Sequence, residues 1–327
     1  TITFAPGGGG QEARGGSSFD IFYIENVLAE LDAPGEFFYD AATAKLYLYP
    51  NVTDVKKQRG DDDYSFDLVV PTLATLIAIR GAAARNITLD GLTFRHSRPT
   101  FLEKYESLPS GDWSIYRGGA VLLDGSAKTY GSSSSSTTND NVRKVPSVSL
   151  GAAPLVSNCV IQRCTFASLG GNALFLSGNV IHTAIVGNEF VAIRDTAVAL
   201  VGEMEDVMSG DARAETYPYK NLITLNHFHE VGVTGKGQAA TFQAMAMSNT
   251  YTRNVAYNGP RTGFENNDGF GGGYDYTENV LFAFSRETGG HSAWNAWDRE
   301  PFFTMNLNEN GERYAYDPAV PPQRDSH

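Results

Sequence analysis

Cysteine is nearly absent from this chain. Two residues, Cys159 and Cys164, are the whole supply in 327. They flank the strand-like run Val160-Ile161-Gln162-Arg163, and five extended residues span roughly 16 Å, far more than the Cα separation of about 7 Å that a disulfide tolerates. They are expected to be small buried apolar side chains, and they leave the redox compartment open. Long apolar runs are also missing, and none approaches the ~20 residues of a membrane span. Positive charge is scarce: 25 Lys and Arg face 37 Asp and Glu, a net charge of −12 spread evenly rather than in tails. No basic face is available for phosphates, so nucleic acid is not an expected partner. Long amphipathic helix patterns are lacking as well. With 34 glycines and 12% aromatics, that absence favours an all-β chain with many turns. The sequence begins at Thr1 with no Met or signal segment, as expected of a processed mature protein or a fragment of a longer one.

What is present is a repeat. A unit of the form apolar-x-x-Asn-x-Phe recurs as Leu89–Phe94, Ile161–Phe166, Ile185–Phe190, Ile223–Phe228, Tyr251–Ala256 and Tyr276–Leu281. From Cys164 through Asn188, Asn226 and Asn254 to Asn279 the steps are 24, 38, 28 and 25 residues. A fixed unit at irregular steps is what a solenoid with loop insertions produces. Rungs stack about 4.8 Å apart, which would align Asn188, Asn226, Asn254 and Asn279 in an internal ladder of paired amides. The expected core holds Ile161, Phe166, Ile185, Phe190, Ile223, Phe228 and Leu281. Before the repeat, Glu36–Tyr39 and Lys45–Tyr49 read as a hairpin. The expectation is a β-rich cap over 1–63, then a solenoid over 64–327 interrupted by a loop excursion at about 95–150. Within that excursion Gly118–Asp124 is strand-like and Ser132–Thr138 is a Ser/Thr run. The acidic run Asp61–Asp63 reads as a solvated loop.

These residues carry a resemblance. The chain resembles the right-handed parallel β-helix proteins of pectate-lyase-like architecture. Phe22–Asp40 with Lys45–Pro50 is similar to the N-terminal segment of a group of secreted β-helix proteins that includes glycoside hydrolases. Asn267–Gly273 and His291–Pro301, with Trp297-Asp-Arg-Glu-Pro301, resemble late-rung motifs of that group. The resemblance implies an extracellular, carbohydrate-active protein. One departure is visible: where relatives often place an acidic residue before the His and a Gly after it, this chain has Gly290 and Ser292. Were that carboxylate catalytic in the relatives, this chain would have lost activity.

The polar segments after Asn254 and Asn279 hold the candidate site. Arg261 and Arg286 each fall at +7 from a ladder Asn, so stacked rungs would place two guanidiniums together, suited to a sugar carboxylate or sulfate or else neutralised by Glu265, Glu287 or Asp298. Asp268, Glu287 and Asp298 offer carboxylates for glycoside hydrolysis, and His291 an acid/base. Trp294 and Trp297 suit stacking on sugar rings or capping of the last rung. Convergence of these residues on one groove is the expectation. His227 and His229 share a strand face, but with no Cys or third His nearby a metal site is not expected. No cofactor is expected, with a structural cation such as calcium left open. The sequons Asn51-Val-Thr and Asn86-Ile-Thr are candidate glycosylation sites. Three functions remain open: an enzyme on acidic polysaccharide, hydrolase or lyase; a non-catalytic glycosylated rod able to self-associate into a filament; and a glycan-binding module.

Overall fold

Two short corners set the path of the chain. In each, a residue in the left-handed region is followed by a side chain that points inward. At the first corner the left-handed residues are Asn158, His182, Lys220 and Ser248; at the second they are Arg163, Gly187, Leu225, Arg253 and Glu278, with φ between 50° and 62°. Only Gly187 adopts this conformation without a Cβ clash; for the others it costs roughly 1 kcal/mol each. The residue after each second-corner turn is Cys164, Asn188, Asn226, Asn254 or Asn279. The first four are fixed by hydrogen bonds to the next turn, and Asn279 by bonds to the turn before.

The computed structural model describes residues 25–51, 56–57, 64–65, 68–81, 83–101, 103–106, 113–126, 155–203, 217–268, 271–288, 291 and 293–297. The chain divides into two units, Ala13–Val70 and the remainder. In the smaller unit, Phe37–Asp40 pairs antiparallel with Lys45–Leu48, and Lys56–Lys57 with Tyr64–Ser65. Asn26 clamps the first hairpin by exchanging two hydrogen bonds with the backbone of Tyr39.

The larger unit is built from parallel sheets, and the chain visits them in rotation. The first sheet contains Thr88–Asp90, Val160–Gln162, Ala184–Val186, Leu222–Thr224, Thr250–Thr252 and Asp275–Thr277. The second contains Thr93–Arg95, Thr165–Leu169, Glu189–Ile193, His227–Val231, Val255–Tyr257 and Val280–Phe282. The third contains Ile77–Arg80, Val121–Gly125, Leu174–Gly178, Val198–Val201, Ala239–Ala244, Thr262–Asn267 and Trp294–Trp297. A small additional sheet joins Ala84–Arg85, Val156–Ser157 and Val180–Ile181. Every neighbouring pair in these sheets is parallel, and each sheet receives one strand per turn, the order of a β-helix.

Between the sheets the interior is filled in columns. Phe94, Phe166, Phe190 and Phe228 stack with centroids 4.9, 4.7 and 4.9 Å apart, the spacing of the turns themselves. Ile161, Ile185 and Ile223 pair in register beside them and are fully buried, as the repeat requires; Leu281, on the last repeat, is half-buried. Cys159 and Cys164 are free thiols in the same core.

The asparagine column has the expected form. Asn226 Oδ1 accepts from the backbone N–H of Asn188 at 3.0 Å and from its Nδ2 at 3.0 Å. Asn254 does the same for Asn226, and Asn279 for Asn254. Each Nδ2 also donates to a carbonyl of the preceding turn, as Asn226 does to Ile185 at 2.9 Å. A second column at the other corner, formed by Asn221 and Asn249, escaped the sequence reading.

The interval 95–150 is more than an excursion. Val121–Gly125 is a full strand of the third sheet, paired on both sides. The Ser/Thr run lies outside the described residues. Replacing Asn226 by Ala would strand buried donors on Asn188 and remove the side-chain donor to the Ile185 carbonyl, each costing roughly 1–3 kcal/mol, while Asn254 Oδ1 keeps its bond from the backbone N–H of residue 226. We expect N226A to lower unfolding free energy by about 3 kcal/mol or more in urea titrations, with Thr252→Ala, on the outer surface, near neutral.

Candidate active site

The outer face of the third sheet is where polar chemistry collects. Strand Thr262–Asn267 alternates: Phe264 enters the core, while Glu265 and Asn267 point to the opposite side. In the preceding turns, the outward position aligned with Glu265 is occupied by Leu122, Phe175, Ala199 and Phe242, which form an apolar cluster. At Glu265 that row changes abruptly from hydrocarbon to carboxylate. Glu265 is 3% exposed, Asn267 1% and Asp268 0%.

Described residues within 97–118 pack against this sheet and its entrance. Ser97 Oγ accepts from the Gly170 N–H, and Asn172 Nδ2 donates to the carbonyls of Tyr116 and Gly118. Arg117 pairs with Glu106 at 2.8 Å and donates to Ser177 Oγ and to the carbonyls of Val201 and Gly202. Trp113 lies over Phe242, with centroids 5.1 Å apart, and its Nε1–H donates to Asp268 Oδ2 at 2.7 Å. One indole therefore spans from the apolar row to the carboxylate at the strand's end. Glu265 and Asp268 are three residues apart on extended backbone, about 10 Å between Cα atoms. Both amide atoms of Asn267 are buried without a hydrogen-bond partner among the described residues.

The sequence-derived site residues divide into separate groups. Arg261 meets His291, with Nη2 3.3 Å from Nδ1 and 3.1 Å from Nε2. Ser285 N–H donates to the Arg261 carbonyl at 2.7 Å, so the segment carrying exposed Arg286 runs beside that of Arg261. Glu287 is exposed and bound to Lys236 at 2.7 Å. This corner precedes strand Thr262–Asn267, whereas Asp268 follows it. Seven extended residues, roughly 23 Å, separate Arg261 from Asp268 along the backbone. Geometry therefore brings Arg261, His291 and Ser285 together at the start of the strand, with Glu265 and Asn267 along its outer face and Asp268 past its end. Trp294 faces inward opposite Phe264 and meets the Tyr276 ring edge-on at 5.9 Å, a capping position at the last described turn. Trp297 pairs in register with Asn267 on the outer side and is 55% exposed. Asp298 lies outside the described residues.

Two clusters were not assembled from sequence. Asp195 is 1% exposed at the entrance to the third sheet, where Tyr105 Oη–H donates to its Oδ2 at 2.7 Å and Thr100 Oγ1 lies at 3.3 Å. Burial drives its pKa up to about 6, outweighing the lowering effect of Tyr105 and Thr100. Burial and the neighbouring carboxylate push the Tyr105 phenol far upward, so it remains a donor. The second cluster is Glu189 with His227 and His229, whose ligand atoms all lie within 4.8 Å of one another. His227 and His229 were recognisable as a pair. Glu189 comes from the preceding turn, and only the register places it beside them.

No family model matches this chain, and no curated protein matches it. A solved structure described as a glycoside hydrolase is similar in fold, with a TM-score of 0.50 and 17% identity, over 78% of this chain and 45% of that one. The chain thus spans less than half the length of that structure. The likeness establishes a fold shared with a glycoside hydrolase, built on parallel β-sheet.

Two measurements test the electrostatics. Because Asp195 binds its proton more tightly folded than unfolded, its neutral form stabilises the fold below about pH 4, and that advantage is lost as pH rises through about 6. We expect Asp195→Asn to flatten the pH dependence of stability between pH 4 and 6.5 by on the order of 2–3 kcal/mol relative to wild type. Trp113→Phe keeps the ring but removes the donor to Asp268, and should cost roughly 1–3 kcal/mol in urea unfolding.

Proposed function

We propose that this chain is a carbohydrate-active protein of the right-handed, pectate-lyase-like β-helix type, acting as a glycoside hydrolase on acidic polysaccharide. The observation that carries the reading is the buried pair Glu265 and Asp268 on the outer face of the third sheet. Burying two carboxylates without compensating function is costly, because each loses hydration worth several kcal/mol. Their backbone spacing suits carboxyl separations of about 5–9.5 Å, the range of retaining and inverting hydrolysis. In this reading one group protonates the glycosidic oxygen and the other acts as base or nucleophile. Asn267 orients a substrate hydroxyl, and Trp297 offers a ring face for a sugar at the exposed margin. Arg261, Arg286 and His291, at the far end of the strand, would contact acidic groups on more distant sugar units, while Glu287, held by Lys236, takes no chemical role.

A second reading is favoured by the burial of Glu265 and Asp268 and by the sequons. Asn51 and Asn86 are both exposed, and Asn86 sits in a left-handed turn. A glycosylated extracellular rod, assembling with its own kind or binding glycans without cleaving them, would need no open carboxylates. Among the described residues, no helix is long and apolar enough to cross a membrane.

Product release from a panel of uronate- and sulfate-bearing polysaccharides decides between them. The hydrolase reading expects turnover in wild type and a loss of at least about 100-fold in both Glu265→Gln and Asp268→Asn, each with an unchanged circular dichroism spectrum. Retained turnover in both variants would remove the pair from the mechanism. Glycan binding with no product, together with a mass decrease on deglycosylation of the secreted protein, would establish the second reading instead.

A further inference from the structure

The outer face of the second sheet carries a feature that polysaccharide chemistry does not use. Phe190 and Phe228 point into the core, so Glu189, His227 and His229 point out. Glu189 pairs directly with His227, and His229 stands two residues further along the same strand. The His229 ring is held against Tyr257, with centroids 5.4 Å apart and planes 10° from parallel, and Tyr257 stacks in turn on Phe282 at 4.9 Å. The His227 and His229 rings are 4.7 Å apart.

Nε2 of His229 is the telling atom. It is buried and makes no hydrogen bond, although Glu189 Oε1 is 3.6 Å away. That distance is too long for a hydrogen bond. It is close to what two ligands of one ion adopt: bonds of about 2.1 Å at tetrahedral angles separate ligand atoms by roughly 3.4 Å. Two imidazoles and one carboxylate, supplied by rigid strands and converging within 4.8 Å, form a three-ligand set with its remaining side towards solvent.

We propose that Glu189, His227 and His229 form a binding site for a divalent transition-metal ion of the zinc class, clipping two successive turns of the β-helix together. Two imidazole ligands select against calcium and magnesium, which take all-oxygen shells. Water completes the coordination on the exposed side.

The test is titration of tag-free, chelator-treated full-length chain with zinc chloride by calorimetry, followed by cobalt(II) absorption spectroscopy. One zinc per chain is expected, with a dissociation constant in the micromolar range or below, a visible cobalt band from nitrogen and oxygen ligands, and no heat with calcium chloride. His227→Ala and His229→Ala should each weaken zinc binding at least about 100-fold, and Glu189→Gln about 10-fold. His182→Ala, on the first-sheet side, should leave it unchanged. Saturating zinc should raise the melting temperature of wild type by several degrees and that of H227A not at all. Equal melting temperatures of wild type and Glu189→Gln in chelator show that the variant folds. The absence of saturable zinc binding below about 100 µM, or a site that persists in the H227A/H229A double variant, would overturn the proposal.

Discussion

The hydrogen bond from one buried asparagine to the next is the constraint on which the rest depends. At the corner between the first and second sheets the backbone turns through a left-handed residue, leaving N–H and C=O groups that face the interior instead of a neighbouring strand. A hydrophobic side chain there would bury those groups unpaired. The amide of asparagine has two donors and an acceptor with two lone pairs, enough to bond the turn before and the turn after at once. Each ladder residue therefore ties down its neighbour's backbone as well as its own. Register in all three sheets follows, because strands that leave a fixed corner can pair in only one way. The phenylalanine and isoleucine columns then pack against a frame already in step.

That frame positions the chemistry. Glu265 and Asn267 share a face because a strand alternates its faces, and Asp268, just past the strand's end, is held on the same side by Trp113, whose segment is pinned across the sheet by Arg117 and by Asn172. The glycosidase reading and the metal reading use opposite resources of the same architecture. The first uses residues within one strand, spaced by the pleat. The second uses residues from adjacent strands, spaced by the stacking of turns.

How much of this was legible in the sequence depended on range. The ladder and the columns were readable because they repeat: a motif seen at Asn188, Asn226, Asn254 and Asn279 announces its own geometry. The placement of Arg261 near His291 was also accessible, since both follow ladder positions. The contact of Trp113 with Asp268 was not, because it joins a segment outside the repeat to one inside it, and no periodicity links them. The same applies to Tyr105 and Asp195. Glu189 was missed for a different reason. The repeat already aligned it with His227, each directly after a ladder asparagine, but only Cys or a third His was sought as a further ligand. The separation of Asp268 from Arg261 reflects strand length: counting from ladder positions gives the rung but not how far along it a side chain lies.

The corners differ in how they accommodate length. From Val160–Gln162 to Thr165, from Ala184–Val186 to Glu189, and likewise in each later described turn, two residues join the first sheet to the second. The link from second to third sheet varies from the short passage between Glu189–Ile193 and Val198–Val201 to the long one between Thr93–Arg95 and Val121–Gly125. The return to the next turn varies as well. Differences in length between turns are thus confined to two edges, while the edge bearing the ladder keeps two linking residues in every described turn. For anyone who would graft a foreign loop or lengthen the protein by duplicating a turn, the asparagine edge is the hinge line to leave alone, and the other two are open ground.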